Sequence, residues 1–122
     1  MATRTFTLNN NLPGARLPAT STSVGWTGLL NGDDGTPYDQ IAAADSATVQ
    51  VTGTFGSGGS VTLEASNDGT TFAALPTPIA ITAAGVYVVA TTAHRRIRPR
   101  VTAGDGTTSL AVTLTARTGF AT

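Results

Sequence analysis

From Thr48 onward the chain alternates apolar and polar residues with a period of two. Val49, Val51, Gly53 and Phe55 fall on one side, and Thr48, Gln50, Thr52 and Thr54 on the other. The rhythm returns in Val61, Leu63 and Ala65 against Thr62, Glu64 and Ser66. It returns again in Leu110, Val112, Leu114 and Ala116 against Ala111, Thr113, Thr115 and Arg117. Such alternation marks strands with one buried face. The cluster Gly56-Ser57-Gly58-Gly59 predicts a hairpin joining the first two runs, and Gly104-Asp105-Gly106 a hairpin joining residues 95–102 to 109–117. Asn67-Asp68-Gly69 is a further turn, because Asn and Gly tolerate positive φ. Residues 71–75 and 79–82 read as short strands separated by Pro76 and Pro78. Residues 86–91 read as a strand apolar on both faces, expected at a sheet centre or against a neighbour.

The first 45 residues follow a looser pattern. Residues 3–8 alternate weakly, and residues 9–18 (NNNLPGARLP) break any regular element. Residues 24–30 predict a strand carrying Trp26, and residues 31–37 (NGDDGTP) a turn cluster. Residues 38–47 hold one or two turns of helix at most. The pattern therefore predicts an all-β chain: an antiparallel β-sandwich, jelly-roll-like, with an extended N-terminal arm over residues 1–20, whose first strand can add at a sheet edge, and the sandwich over residues 21–122. The arm lacks the patterning for a core of its own, so it is expected to become ordered against neighbouring subunits.

Composition sharpens this picture. Leu, Val, Ile and Phe supply only 26 of 122 residues, just above the level of about one-fifth at which disorder becomes the default. The core is modest. Seven basic residues balance seven acidic ones, every basic residue is Arg, and charged residues make up 11% of the chain, against about 25% in an average protein. Thr contributes 24 residues and Ala 19. A surface of that kind at zero net charge tends to associate. With no cysteine, disulfide frameworks and thiolate chemistry are excluded. No apolar run approaches the ~18 residues of a membrane span, and balanced charge argues against nucleic acid, whose binding rests on neutralising phosphates.

Catalytic constellations are hard to assemble. His94 is the single histidine, so a Ser-His-Asp arrangement would have to use it. Asn31, Asp33, Asp34 and Asp39 offer oxygen ligands of the kind calcium takes, at a spacing that matches no calcium loop. No cofactor, metal or catalytic activity is expected. The sharpest feature is basic: Arg95, Arg96, Arg98 and Arg100 hold four of the seven arginines. On a strand, Arg96, Arg98 and Arg100 share one face, and Pro99 marks an edge or a bulge. Such a stripe either guards an edge against aggregation or docks on carboxylates of a partner through its planar forks. We place the partner interface there and at the apolar residues Phe6, Leu8, Leu12 and Leu17 of the arm.

Two stretches carry a resemblance. Residues 49–55 (VQVTGTF) run through residues 63–72 (LEASNDGTTF), and residues 96–101 (RIRPRV) run through residues 104–108 (GDGTT). In this the chain resembles small virion proteins of tailed bacteriophages, in which a strand ending in Ser-Asn-Asp-Gly leads to an aromatic and a later Ile-Arg-Pro strand leads to a Gly-Asp-Gly turn. The resemblance spans residues 46–117. It implies a structural role without catalysis: a capsid decoration protein on the outer capsid surface, binding the major capsid protein and itself, as a homotrimer. The Ser-Asn-Asp-Gly phrase also occurs in discoidin-like carbohydrate-binding sandwiches, where the aromatic is commonly Trp rather than Phe72. The alternative is therefore a carbohydrate- or host-surface-binding module of a head fibre or tail appendage.

Overall fold

The computed structural model describes residues 3–10, 20–39, 46–75, 80–89 and 96–118. The described residues form strands and turns only. In chain order the strands are β1 (Thr3–Arg4), β2 (Phe6–Asn10), β3 (Thr20–Leu30), β4 (Asp34–Gly35), β5 (Tyr38–Asp39), β6 (Ser46–Thr54), β7 (Ser60–Ser66), β8 (Ala73–Ala74), β9 (Gly85–Val88), β10 (Arg96–Ala103) and β11 (Ser109–Thr118). They make two sheets. One runs β1-β4-β10-β7-β8, with β5 also on β10; the other runs β2-β3-β11-β6-β9. We call them the arginine sheet and the threonine sheet, after the residues on their outer faces.

The β-sandwich expected from the alternation is the observed fold, and the alternation is its cause. Ile97, Pro99 and Val101 of β10 and Val61 and Leu63 of β7 turn inward from one sheet. They meet Val24, Trp26, Val49, Val51, Leu110, Val112 and Leu114 of the other. Trp26 is fully buried, and its indole N–H donates to the Thr36 carbonyl at 3.0 Å. Gly35 is buried beside it, and a Cβ there would stand 2.6 Å from the indole ring. The small residue lets β4 itself lie against the tryptophan.

Both predicted hairpins are absent. β6 pairs with β11 and β9, whereas β7 pairs with β10 and β8, so Gly56–Gly59 carries the chain from one sheet to the other. β10 and β11 likewise lie in different sheets across residues 104–108. The two inter-sheet arches are tied together. Ser57 N–H donates to Asp105 Oδ2 at 2.8 Å, and the Thr108 hydroxyl donates to the Phe55 carbonyl at 2.8 Å. Gly56 has φ +69°, and a Cβ on it would collide with the Asp105 carboxylate. The glycine there serves both a left-handed backbone and the close approach of the second arch.

The sheet order decides between alternatives at three other places. The Arg strand is bulged rather than an edge: β10 lies between β7 on one side, where the register shifts between Val101 and Ala103, and β4 and β5 on the other. Pro99 fits because Val101 N–H points to the Asp33 carbonyl (2.8 Å), so Pro99 nitrogen points the same way, into the gap between β4 and β5. The strand apolar on both faces, now β9, lies at the end of the threonine sheet rather than its centre. Finally, Thr3–Asn10 of the arm are strands in this chain: β1 runs parallel to β4, and β2 antiparallel to β3, with Leu8 opposite Val24. The segment contributes one edge to each sheet. Of the expected helical turn, residues 38–39 and 46–47 are strand; residues 40–45 lie outside the described residues.

Candidate functional site

Arg96, Arg98 and Arg100 project from β10 onto the outer face of the arginine sheet, as strand alternation requires. Arg98 and Arg96 have partners within the chain. Arg98 Nε donates to Glu64 Oε1 at 2.9 Å from the directly opposed position on β7, and its Nη1 stands 3.4 Å from Asp34 Oδ2. Its guanidinium carbon lies 4.1 Å from the centroid of the Phe72 ring. The Arg98 side chain keeps only 19% of its surface exposed, against 13% for Glu64 and 7% for Asp34. A planar cation wedged between two carboxylates and a ring is well desolvated, so these contacts count for more than a surface pair. Arg96 reaches the Gly69 carbonyl at 3.4 Å, and Arg100 stands opposite Asp34 in the ladder.

The oxygen-rich loop serves the same network. Asp33 Oδ2 accepts from Leu30 N–H at 2.9 Å and from Arg4 Nε at 3.1 Å, while Asp34 Oδ1 accepts from the Thr3 hydroxyl at 2.8 Å. The two aspartates thus clamp β1 and, through Arg98, fasten β4 to the middle of the sheet. Among the described residues no group of three or more His, Cys, Asp or Glu is arranged around a common point.

Two exposed turns hold strongly perturbed acids. Asp68 accepts from the backbone N–H groups of Thr71 and Thr70 and from the Ser66 hydroxyl, which holds its carboxyl well below the usual range. Asp105 is lowered to about 2 by the Thr107 hydroxyl and by the N–H groups of Ser57 and Thr107. Both are turn-builders whose charged form is fully hydrogen-bonded.

Of the other residues placed at a partner interface, Phe6 packs edge-on against Trp26 (centroids 6.1 Å, 74°) and Tyr38 (5.7 Å, 87°). Burial there pushes the Tyr38 phenol up. Leu12, Leu17, His94 and Arg95 lie outside the described residues.

A second surface showed in the sequence only as an uncharged, Thr- and Ala-rich composition prone to associate and as a strand apolar on both faces, without its place in the fold. The outer face of the threonine sheet presents Thr48, Gln50 and Thr52 of β6, Ala111, Thr113 and Thr115 of β11, and Val86 and Val88 of β9. No charged group stands among its described side chains; Arg117, farther along β11, is outside them. Val86 is 63% and Val88 70% exposed. The available signal was the two-sided apolar strand, which is as compatible with an uncovered edge as with a sheet centre.

No protein-family model and no curated protein matches the chain in sequence. Solved structures match in shape. The SPBc2 prophage-derived protein YomS superposes with a TM-score of 0.58 at 10% identity, over 80% of this chain and 95% of that one. CBM32 of AlyQ in complex with 4,5-unsaturated mannuronic acid gives 0.41 at 11% identity, over 95% of each chain. The family 32 CBM of C. perfringens NanJ in complex with galactose gives 0.36 at 14%, over 93% of each. The likeness to YomS is one of fold.

Proposed function

We propose that this chain is a structural virion protein, a capsid decoration protein that binds the outer capsid surface and stabilises contacts between major capsid protein subunits. The observation that carries the reading is the division of the two outer faces. Charge is gathered on the arginine sheet and largely consumed there, leaving a broad Thr- and Ala-covered face on the other sheet. A face of that kind can be covered without the cost of desolvating ions. The prophage origin of YomS supports a phage setting for the fold, and the turn pattern of residues 46–117 supports a virion setting. The role is non-catalytic, with the threonine sheet toward the shell and the arginine sheet outward.

Cryo-electron microscopy of the particle whose genome encodes the chain tests this. The expected result is density for the sandwich on the outer shell between capsid subunits. Density confined to the tail, or none, overturns it. The alternative, a carbohydrate- or host-surface-binding module, needs an aromatic platform. Trp26 is buried, and Phe72 has Arg98 against its ring. Saturable binding of the isolated protein on a glycan array would favour that alternative over the shell.

A further inference from the structure

The threonine sheet ends in a strand with no second neighbour among the described residues. β9 pairs with β6 through Gly85, Tyr87 and Val89: Val89 N–H donates to the Ala47 carbonyl at 3.1 Å, and Tyr87 and Gly85 follow at the same two-residue interval. The N–H and C=O of Val86 and Val88 therefore point away from β6, along the open edge, and both valine side chains are largely exposed. Exposed edges are ordinarily blunted by charge, proline or shortness. On the arginine sheet the terminal strands β1 and β8 have two residues each, and β1 carries Arg4. β9 has four residues, contains no proline, and lies within residues 69–93, which hold no charged side chain.

We infer that β9 is a self-association edge: two copies of the chain pair their β9 strands antiparallel about a twofold axis, joining two threonine sheets into one. With Tyr87 opposite Tyr87 of the second copy, each Val86 faces a Val88. Val86 N–H donates to the opposing Val88 carbonyl and Val88 N–H to the opposing Val86 carbonyl, so both outward donors and both outward acceptors of each strand are satisfied. The two cross-strand pairs are Val against Val, a favourable match on an exposed sheet face. A second copy is the fitting occupant for two reasons. Its strand offers the same uncharged residues and the complementary spacing, and the net charge of zero removes repulsion between copies. A four-residue strand buries less than the ~1,200 Å² of a stable interface. The pair accordingly forms at high local concentration, as among copies crowded on a surface.

The absence of cysteine makes the register directly testable. Opposed residues in a hydrogen-bonded antiparallel pair lie about 5.5 Å apart at Cα, within the roughly 4.4–6.8 Å range of a disulfide. An equal mixture of the Val86→Cys and Val88→Cys proteins should cross-link on mild oxidation, with either variant alone cross-linking much more slowly. Analytical ultracentrifugation of the wild-type chain, raised toward millimolar concentration, should show mass growing to two copies. Val86→Pro removes an N–H that β6 does not use, and should weaken association about tenfold or more with the melting temperature retained. Should that variant fail to fold, Val88→Lys tests the same edge by charge. A wild-type chain that stays monomeric, a homotrimer, homotypic cross-linking as fast as the mixture, or full association of the folded edge variant overturns the pairing. The inference stands apart from the capsid reading: pairing in solution with no density on the shell would retire that function and keep the edge.

Discussion

The two sheets of this sandwich are held together by different means. The threonine sheet is built on long strands, β3 (Thr20–Leu30), β11 (Ser109–Thr118) and β6 (Ser46–Thr54), joined by long ladders, unbroken between β11 and β6 and shifted in register once, between Leu110 and Val112, against β3. The arginine sheet has two long strands, β7 and β10, and around them pieces of two residues, β1, β4, β5 and β8. A two-residue strand contributes too few ladder bonds to hold its place. Side chains do that work: Arg98 ties β10 to Glu64 and Asp34, and Asp33 and Asp34 hold Arg4 and Thr3. The few charges in the chain are thus concentrated where regular hydrogen bonding is scarce. Where ladders are long, the outer face is left to Thr, Ala and Val.

This contrast is broken most strongly at Arg98. Arg98→Ala leaves two mostly buried carboxylates facing each other, and should cost about 2–4 kcal/mol, a fall of roughly 10 °C or more in Tm. Arg98→Lys should recover part of that loss, because it returns the charge without the planar fork over Phe72. An unchanged melting temperature for Arg98→Ala would mean that the short strands are held by something other than this network. Phe6→Ala comes next. It opens a gap beside Trp26 and Tyr38 and should destabilise the isolated chain by about 2–3 kcal/mol in urea titrations. No change in the isolated chain would return residues 3–10 to the status of an arm fastened by neighbours.

Acidification probes the arches between the sheets. The carboxyl of Asp105 falls from 3.8 to about 2 in the folded chain, so its carboxylate favours folding at neutral pH. That contribution is complete above the unfolded value and is lost as pH falls from about 4 toward 2. Asp68, also held low, acts in the same direction. Thermal melts should show Tm dropping over that window, and Asp105→Asn should flatten the drop while lowering Tm at neutral pH. A slope unaffected by the substitution would place the acid sensitivity outside the arches. The smallest effect belongs to the threonine sheet: Gln50→Lys on its outer face should change stability by no more than about 0.5 kcal/mol. A larger loss in the isolated chain would mean that this face takes part in folding and is not simply a surface left open.

Much of this molecule was determined by its sequence alone. Period-two alternation places residues 48–54, 61–66 and 109–117 in strands and assigns their buried faces, because a one-residue slip would expose the whole apolar set. The turns at Gly56–Gly59 and residues 104–106 stand where glycine and aspartate put them. What those turns join was decided only in three dimensions. A glycine-rich reversal permits a hairpin or an arch between sheets equally, and the choice rests on which ladders and which faces are buried together, here locked by Asp105 and Thr108 against the opposite arch. The same limit governs the surface. Arg98 looked like a hand held out to a partner, and only the placement of Glu64, Asp34 and Phe72, far from it in sequence, turned it into an internal tie. Val86 and Val88 read equally as residues of a sheet centre and as residues set against a neighbouring molecule. Whether an apolar strand has one neighbour or two is a property of the sheet, set by contacts distant along the chain, and no pattern within the strand records it.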